Sequence, residues 1–358
     1  MIHDASARLS LFPPLSEESI IKGGLLTGIM ARENPGRYSR QELVVGKEGQ
    51  GRLQKARVAI IGLGALGSVA AELLARAGVG HLTLIDRDIV ELSNLQRQLL
   101  YAKADIGKPK AEAAHSRLKA INGTVHYGSL VADINHKNIG KILEDEGLVL
   151  DCTDNLYARF LINDWAKKRG RPWIYSAAIR EQGSVMLLAR GMPCFRCTFR
   201  EAQGLDTCDT AGISNAISTA IASLQVNEAI RYLTREKRLA KESDSQCLIR
   251  LDISSLSLAK IKTKKNPQCP ACSGQYEYLG GKKEPRHISY QCSDTYQFFI
   301  DNLDLASCEK KWKRLGTVRK GKNYLFFKNL SVFSNGRVLI KAKSLGQANA
   351  ILSRYAGM

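Results

Sequence analysis

The sequence has no uninterrupted apolar run of the about 18 residues that a membrane-spanning helix needs. It also has no clear secretory signal, because the apolar stretch at 19–30 is interrupted by glycines and shows no small-residue cleavage site in a clear context. Both absences argue against an integral membrane protein and against export. We therefore expect a cytoplasmic protein with no membrane partner.

Acidic residues are in short supply, with 34 Asp and Glu against 53 Lys and Arg and a formal net charge of +19. An excess of this size favours an acidic partner. Hydrophobic residues make up 44% of the 358 positions, which is enough for a globular chain of about two domains. The nine cysteines, without a secretory signal, favour metal or thiol chemistry over disulfides.

A glycine turn between a predicted strand and a predicted helix is the most informative motif. Residues 58–61 are apolar throughout, as in a central parallel strand, and Gly62, Gly64 and Gly67 follow with the spacing G-x-G-x-x-G. Glycines in this pattern allow a tight turn and let backbone N–H groups approach a phosphate at a helix N-terminus. The alternative is a tight turn that binds no ligand.

The residues that follow this turn support a nucleotide site. A helix is predicted over 68–77, and a second strand, at 81–85, leads to Asp86, about 20 residues after the glycines. An acidic side chain at that position is placed to bind a ribose hydroxyl. The pattern predicts a nucleotide site without identifying the nucleotide.

Predicted strands and helices alternate along the next part of the chain. Further strands are predicted over 125–129, 148–153 and 173–177, and further helices over 46–55, 111–121, 138–145, 156–169 and 214–233. This order predicts an α/β fold with a doubly wound, mostly parallel, Rossmann-like sheet. Ligands of such sheets lie outside the carboxyl ends of the strands, so the glycine turn, Asp86 and Asp154 are expected to converge on one site.

Two C-x-x-C pairs form a second strong signal: Cys194 with Cys197, and Cys269 with Cys272. Together they supply the four thiolates of a tetrahedral zinc site, in which the metal would tie the middle of the chain to the end of the domain. Four thiolates leave no position for water, so the Zn²⁺ is expected to be structural. Buried or redox-active cysteine pairs are the alternative.

The chain is expected to divide into three parts. Residues 1–36 are interpreted as a flexible N-terminal extension, 37–280 as the nucleotide-binding domain with its zinc knuckles, and 281–358 as a small C-terminal α+β module. This module carries 15 Lys and Arg against 5 Asp and Glu. Its basic surface could dock an acidic carrier protein, bind nucleic acid, or be merely solvated.

Five segments of the sequence resemble one enzyme family. The segments are 37–41, 62–67, 86–98, 108–111 and 152–155. They are similar to the adenylyltransferases related to ubiquitin-activating enzymes, the ThiF, MoeB and HesA group, and the phrase ELSNLQRQ is close to a hallmark of that family. The resemblance covers residues 37–280 and is strongest to ThiF of Gram-positive type, which also carries an extra tail.

The resemblance implies ATP-dependent activation of a small ubiquitin-like sulfur-carrier protein. The C-terminal glycine carboxylate of the carrier would attack the α-phosphate of ATP, giving an acyl adenylate and pyrophosphate. The expected carrier is the ThiS-like protein of thiamin thiazole biosynthesis. The tail shows no rhodanese-like cysteine loop, so the sulfur is expected to come from a separate donor protein.

Matching positions imply roles for three residues near the phosphates. Arg97 and Lys110 would hold the triphosphate and stabilise the transition state, because adenylyl transfer depends on positioning and on neutralising charge on the non-bridging oxygens. Asn94 matches a polar phosphate contact of the family. For the two basic residues, solvated surface cations are the alternative.

Four further residues receive roles from the same resemblance. Asp154 is the expected Mg²⁺ ligand, although it could instead cap the helix at 156–169. Asp86 would bind the ribose, with Asp88 as a weaker candidate. Arg40 matches an arginine that reaches across a dimer interface to the γ-phosphate, which implies a homodimer.

Cys208 lies in a polar segment before the helix predicted at 214–233, where ThiF-like proteins carry a cysteine on a mobile crossover segment. The resemblance implies a covalent link between this thiol and the activated carrier, as a nucleophile or a persulfide relay. MoeB-like members transfer without an essential thiol at this place. A loop cysteine with no required role is therefore the alternative.

Three other functions remain open from the sequence. A MoeB-like enzyme would activate the molybdopterin-synthase carrier, and a related subgroup adenylates a modified tRNA base as a dehydratase. The basic tail leaves a nucleic-acid partner open, whereas Cys208 and the paired zinc knuckles disfavour it. An NAD-dependent oxidoreductase would share the glycine turn and Asp86, but it does not explain Arg97, Lys110 and the four cysteines.

Overall fold

The computed structural model describes residues 36–199, 211–234, 247–283, 289–290, 295–300, 303–321, 324–334 and 336–355. Within these ranges, none of the helices combines the length and the hydropathy that a membrane crossing requires. Cys208 and residues 1–35 of the predicted N-terminal extension lie outside the described residues.

The described strands form two β-sheets. The strands are β1 (Arg57–Ile61), β2 (His81–Asp86), β3 (His126–Val131), β4 (Leu148–Asp151), β5 (Trp173–Ile179), β6 (Gln182–Leu188), β7 (Cys247–Asp252), β8 (Ser257–Lys262), β9 (Ser289–Tyr290), β10 (Thr295–Phe299), β11 (Arg319–Lys320), β12 (Tyr324–Phe327), β13 (Leu330–Phe333) and β14 (Arg337–Lys341). The first sheet has the order β3-β2-β1-β4-β5-β6-β7-β8, and the second has the order β11-β12-β13-β14-β10-β9.

The first sheet confirms the predicted doubly wound α/β fold. Strands β3, β2, β1, β4 and β5 are parallel neighbours, and β6 to β8 extend the sheet with antiparallel pairs. Ile61 lies opposite both Ile85 and Asp151, so three strands end side by side. The winding reverses between β1 and β4, which is the switch point where such sheets bind ligands.

The α-helices largely follow the sequence prediction. They are α1 (Ser39–Lys55), α2 (Ala65–Ala77), α3 (Lys110–Ile121), α4 (Ile139–Ile142), α5 (Leu156–Arg169), α6 (Phe195–Thr198), α7 (Asn215–Thr234), α8 (Leu305–Lys313) and α9 (Leu345–Tyr355). Helix α5 has the predicted bounds, and α2 begins earlier than predicted because Gly64 is its N-cap. The helix predicted at 138–145 is shorter and ends at Ile142, and the side chain of Glu146 beyond it accepts a hydrogen bond from Thr83 (2.7 Å).

Alternate residues of β1 face two different layers of helices. Ile60 belongs to a buried cluster with Leu74 of α2, and Ile61 belongs to a second cluster with Trp165 of α5. All four side chains are at most 2% exposed. Helices therefore cover both faces of the sheet, as a parallel sheet with apolar side chains on both faces requires.

The second sheet has its own apolar core. Its paired strands β10 to β14 are antiparallel, and they pack against α8 and α9 through a cluster that includes Trp312, Phe327 and Tyr355. Trp312 donates its Nε1–H to the carbonyl of Tyr355 (2.8 Å) and so joins the two helices. This arrangement is the α+β architecture expected for the C-terminal region, while the boundary at residue 280 remains a prediction.

Candidate nucleotide-binding site and cysteine cluster

The glycine turn lies at the carboxyl end of β1, at the switch point. Gly62 has a φ of +86°, and a Cβ there would lie 2.7 Å from the carbonyl oxygen of Cys152. A Cβ on Gly67 would overlap the carbonyl oxygen of Gly62. A Cβ on Gly64 would meet only Nε2 of Gln98, at 3.7 Å. The first and third glycines thus allow the close packing of the turn, and the second leaves the N-terminus of α2 open to a phosphate.

Asp86 ties this turn to the loop that follows β2. Its Oδ2 accepts a hydrogen bond from the backbone N–H of Leu63 (2.6 Å), and its Oδ1 accepts one from the N–H of Asp88 (2.7 Å). Burial raises the pKa of Asp86, and the charge of Lys110 opposes that shift. The carboxylate therefore holds the turn in place, and its contact with a ribose stays a prediction.

Lys110 begins α3 and places its ammonium group among carboxylates. Its Nζ lies 3.5 Å from Oδ2 of Asp88. Burial alone would lower the pKa of Lys110, but the charges of Asp88, Asp86 and Asp154 raise it. For the carboxylate of Asp88 the directions are opposite. Burial alone would raise its pKa, but the charges of Lys110, Arg87 and Arg337 lower the pKa to about 2. The ammonium group of Lys110 thus lies among three carboxylates at one edge of the sheet.

Asp154 follows β4 on the other side of the switch point, and its side chain is exposed. The next residue caps α5: Oδ1 of Asn155 accepts hydrogen bonds from the backbone N–H groups of Tyr157 (2.9 Å) and Ala158 (3.4 Å). The helix-capping interpretation of Asp154 is therefore wrong. Its carboxylate remains at the edge where Lys110 lies.

Asn94 and Arg97 lie in the loop between β2 and α3. Asn94 is buried, and its Oδ1 accepts a hydrogen bond from the backbone N–H of Glu91 (3.0 Å). Arg97 is partly exposed and donates from Nη1 to the carbonyl of Ser93 (3.1 Å). No ion pair joins Arg97 to an acidic side chain in the described part of the chain. The phosphate contacts of both residues stay predictions.

Arg40 lies in the first turn of α1 and is exposed. An exposed position is compatible with either a dimer contact or an ordinary surface arginine. Its reach towards the γ-phosphate of a neighbouring subunit therefore stays a prediction.

Two buried residues near the glycine turn escaped the sequence prediction. Gln98 is 4% exposed, its Nε2 lies beside Gly64, and its Oε1 has no hydrogen-bond partner among the described residues. An unpaired buried amide oxygen at this place is a candidate ligand contact. Tyr101 donates its hydroxyl to the carbonyl of Leu63 (2.9 Å) and lies 3.4 Å from the carbonyl oxygen of Lys110. Gln98 ends the hallmark phrase and could have been found there, whereas no pattern indicated Tyr101.

The four cysteines of the two C-x-x-C pairs come together, as predicted. Their sulfur atoms all lie within 4.8 Å of one another. The separations are 3.5 Å for Cys194 and Cys269, 3.6 Å for Cys197 and Cys272, and 3.7 Å for Cys194 and Cys197. Thiolates at about 2.3 Å from one tetrahedral ion would lie about 3.8 Å apart. The cluster is therefore compatible with a zinc site.

Side chains of α5 hold both cysteine knuckles. Oδ1 of Asn163 accepts a hydrogen bond from the backbone N–H of Phe195 (2.9 Å), beside the first pair. Oδ2 of Asp164 accepts one from the N–H of Tyr278 (2.9 Å), beyond the second pair. The cluster thus joins two distant segments of the chain, and hydrogen bonds attach both of them to α5.

The sequence profile of the ThiF family matches residues 38–271, more than half of the chain. This chain is a member of the ThiF family. The assignment agrees with the resemblance carried by the glycine turn and the loop after β2. It also accounts for the sheet topology, with the site at the switch point.

Two relatives show how far the similarity to other proteins of this family extends. The sulfur carrier protein ThiS adenylyltransferase of Bacillus subtilis (strain 168) is 34% identical over 340 residues, which cover 90% of this chain and 99% of the relative. The molybdopterin-synthase adenylyltransferase of Escherichia coli (strain K12) is 37% identical over 241 residues, covering 66% of this chain and 95% of the relative. The Bacillus subtilis relative leaves a tenth of this chain uncovered, which is shorter than residues 281–358. The similarity to this relative therefore extends into the C-terminal region.

Solved structures of Escherichia coli MccB share the fold. MccB in complex with MccA-N7isoASN has a TM-score of 0.60 at 21% identity, with 68% of this chain and 75% of MccB covered. MccB with ATP has a TM-score of 0.58 at 21% identity, with 67% of this chain and 75% of MccB covered. At this level of identity, the likeness establishes the architecture alone.

Proposed function

We propose that this member of the ThiF family is an ATP-dependent adenylyltransferase that activates a ubiquitin-like sulfur-carrier protein of the ThiS type. The C-terminal glycine carboxylate of the carrier attacks the α-phosphate of ATP, and the products are an acyl adenylate and pyrophosphate. The observation that carries the proposal is the position of Lys110 beside Asp86 and Asp88, with Asp154 across the switch point. Similarity over 90% of the chain to a named ThiS adenylyltransferase supports this carrier and a role in thiamin thiazole biosynthesis.

Lys110 supplies the positive charge that adenylyl transfer requires. Negative charge develops on the oxygens of the α-phosphate and on the leaving pyrophosphate, and fixed cations stabilise it. The raised pKa of Lys110 keeps its ammonium group charged at neutral pH. Arg97 is proposed as a second cation and Asn94 as a polar phosphate contact, while Asp86 receives the ribose.

Asp154 is proposed to hold Mg²⁺. Its carboxylate is exposed and is not used to cap α5, so it remains accessible to a ligand. Mg²⁺ in proteins commonly takes one or two carboxylates together with phosphate oxygens. The bound ion would supply positive charge between the triphosphate and the acids of the site, which otherwise repel each other.

The four-cysteine cluster is proposed to bind a structural Zn²⁺. The sulfur separations fit a tetrahedral ion, and the four thiolates leave no coordination position for water or substrate. The contacts of Asn163 and Asp164 attach the cluster to α5. Bound metal would therefore hold these two segments and α5 together.

Arg40 and Cys208 enter the proposal through the family resemblance. Arg40 would reach the γ-phosphate held by a neighbouring subunit, which requires a homodimer. After adenylation, Cys208 would attack the acyl adenylate of the carrier with AMP as the leaving group, or it would take over the outer sulfur of a donor persulfide and release the donor thiol. The sulfur itself would come from a separate donor protein.

A second candidate is the molybdopterin-synthase carrier, which a MoeB-like enzyme would activate. Identity of 37% to the molybdopterin-synthase adenylyltransferase of Escherichia coli favours this alternative within the same chemistry. The tRNA-directed and NAD-dependent alternatives have no comparable support, because the relatives described above are named adenylyltransferases.

ATP–pyrophosphate exchange tests the proposed reaction. Exchange should require a carrier protein that ends in Gly-Gly, and it should stop when the two terminal glycines are removed. Parallel assays with a ThiS-type carrier and a molybdopterin-synthase carrier decide between the two candidates. Absence of exchange with both carriers, together with binding of NAD, would overturn the proposal.

A further inference from the structure

The C-terminal sheet contacts the loop that carries the acids of the nucleotide site. Arg337, the first residue of β14, is 1% exposed. Its Nη1 donates a hydrogen bond to the carbonyl of Arg87, and its Nη2 lies 3.9 Å from Oδ1 of Asp88. Its Nε donates to Oε1 of Gln297 on β10 (2.6 Å). One buried guanidinium group thus joins the second sheet to the loop after β2.

Further contacts attach the same strand to the same loop. Lys341, at the other end of β14, places its Nζ 3.1 Å from Oε2 of Glu91. An apolar cluster lies alongside and combines Tyr324, Phe333 and Leu339 of the second sheet with Ile89 of the loop and Val131 of β3. The loop is therefore held by two cations and an apolar contact from the C-terminal sheet.

Asp88 connects these contacts to Lys110. The carboxylate of Asp88 lies 3.5 Å from Nζ of Lys110, 3.6 Å from Nε of Arg87 and 3.9 Å from Nη2 of Arg337. These separations exceed the about 2.7–2.9 Å of a strong charge-assisted hydrogen bond, so one carboxylate is shared among three cations. Sharing weakens the hold of Asp88 on the ammonium group of Lys110.

We propose that Arg337 is a positioning residue for ATP. It holds the loop of Asp88 from the C-terminal sheet and takes part of the Asp88 charge, which allows Lys110 to contact the triphosphate. The pair of Lys341 and Glu91 restrains the same loop. The basic C-terminal region is thereby a structural part of the nucleotide site, whatever else its exposed surface binds.

This inference rests on the proposed use of ATP, and binding of Mg-ATP to the unaltered protein tests that use separately. The affinity of the full-length protein for Mg-ATP is measured by isothermal titration calorimetry without a carrier. Arg337→Met should weaken the affinity for ATP about tenfold, which corresponds to the loss of one hydrogen bond to a charged group. Arg337→Lys should weaken this affinity less. Arg354→Met, an exposed arginine of α9, is the matched control and should bind ATP normally.

The affinity for adenosine distinguishes a positioning role from general damage to the site, because adenosine lacks the phosphates that Lys110 would contact. Arg337→Met should leave the affinity for adenosine unchanged. Native-like ATP affinity in a folded Arg337→Met variant, or equal losses for ATP and adenosine, would overturn the inference. If circular dichroism shows that Arg337→Met does not fold, Lys341→Gln replaces it at an exposed contact, with an expected loss of about threefold. Unchanged ATP affinity in that variant would then overturn the inference.

Discussion

Asn155 caps helix α5 through its side-chain oxygen, and the adjacent Asp154 is left exposed at the carboxyl end of β4. Two neighbouring polar residues thus have different tasks. The first satisfies backbone N–H groups that the start of a helix leaves unpaired. The second leaves its carboxylate exposed at the switch point of the sheet, where the proposed Mg²⁺ would bind.

This division predicts opposite outcomes for two alanine variants. Asp154→Ala should reduce ATP–pyrophosphate exchange by at least about a hundredfold while changing stability by less than about 0.5 kcal/mol. Asn155→Ala should retain exchange and lose about 1 kcal/mol of stability, because it removes the cap. Exchange assays and urea unfolding measure the two effects. Normal exchange in Asp154→Ala would refute the magnesium role.

The glycines of the turn are expected to differ in the same way. Gly67→Ala should lower the free energy of unfolding by about 2 kcal/mol or more, because its Cβ would overlap the carbonyl oxygen of Gly62. Gly64→Ala should fold normally, since its Cβ would meet only the side chain of Gln98, and should instead weaken ATP binding. Thermal unfolding and calorimetry distinguish the two. Equal stability of both variants would contradict the packing of the turn.

Removal of one cysteine ligand should release the metal. Cys269→Ala is expected to lose its zinc and to lower the melting temperature by about 5–10 °C, because the cluster joins distant segments. Cys308→Ala is the matched control, since Cys308 lies apart from the cluster in α8, and it should retain the metal. Elemental analysis of both purified variants checks the result. An unchanged zinc content in Cys269→Ala would contradict a zinc site formed by the two C-x-x-C pairs.

Lys110 should remain protonated through the physiological pH range. Burial opposes the shift, but three nearby carboxylates raise the pKa of Lys110 above its ordinary value of about 10.4. A group with a raised pKa in the folded state contributes stability that is complete below about pH 10.4 and is lost as the pH rises through the raised pKa. ATP affinity should therefore show no loss due to Lys110 between about pH 7 and pH 10.

The matching measurement is a pH series of ATP affinity for the native protein and for Lys110→Met. The variant should bind ATP at least about tenfold more weakly at every pH in that range, because it lacks the cation. A native profile that loses affinity with a midpoint below pH 10, and a flat profile in the variant, would show that Lys110 titrates early.

Cys208 can be tested by separating the two chemical stages. Cys208→Ser should leave ATP–pyrophosphate exchange intact and impair only the transfer of sulfur to the carrier, because the thiol is proposed to act after adenylation. Mass spectrometry of the carrier measures the product of the second stage. Loss of exchange in this variant would contradict a role for Cys208 that begins only after adenylation. Full sulfur transfer would show that the thiol of Cys208 is not required.

Much of the first sheet could be predicted because its signals are local. The bounds of α5 follow from helical periodicity between the polar pair Asp154-Asn155 and Gly170, whose left-handed conformation ends the helix. The strand at β1 follows from an apolar run before a glycine turn. The contact between Glu146 and Thr83 could not be predicted, since it joins residues that lie far apart in the chain.

The sequence by itself determined the glycine turn, the acids that follow β2 and β4, and the two cysteine pairs, because each depends on residues a few positions apart. Only the tertiary structure decided that Asn155, rather than Asp154, caps α5. It alone showed that Arg337 reaches Asp88, since that contact joins residues far apart in the chain. Spacing along a chain predicts turns and ligand pairs, whereas contacts between distant segments depend on how the two sheets pack.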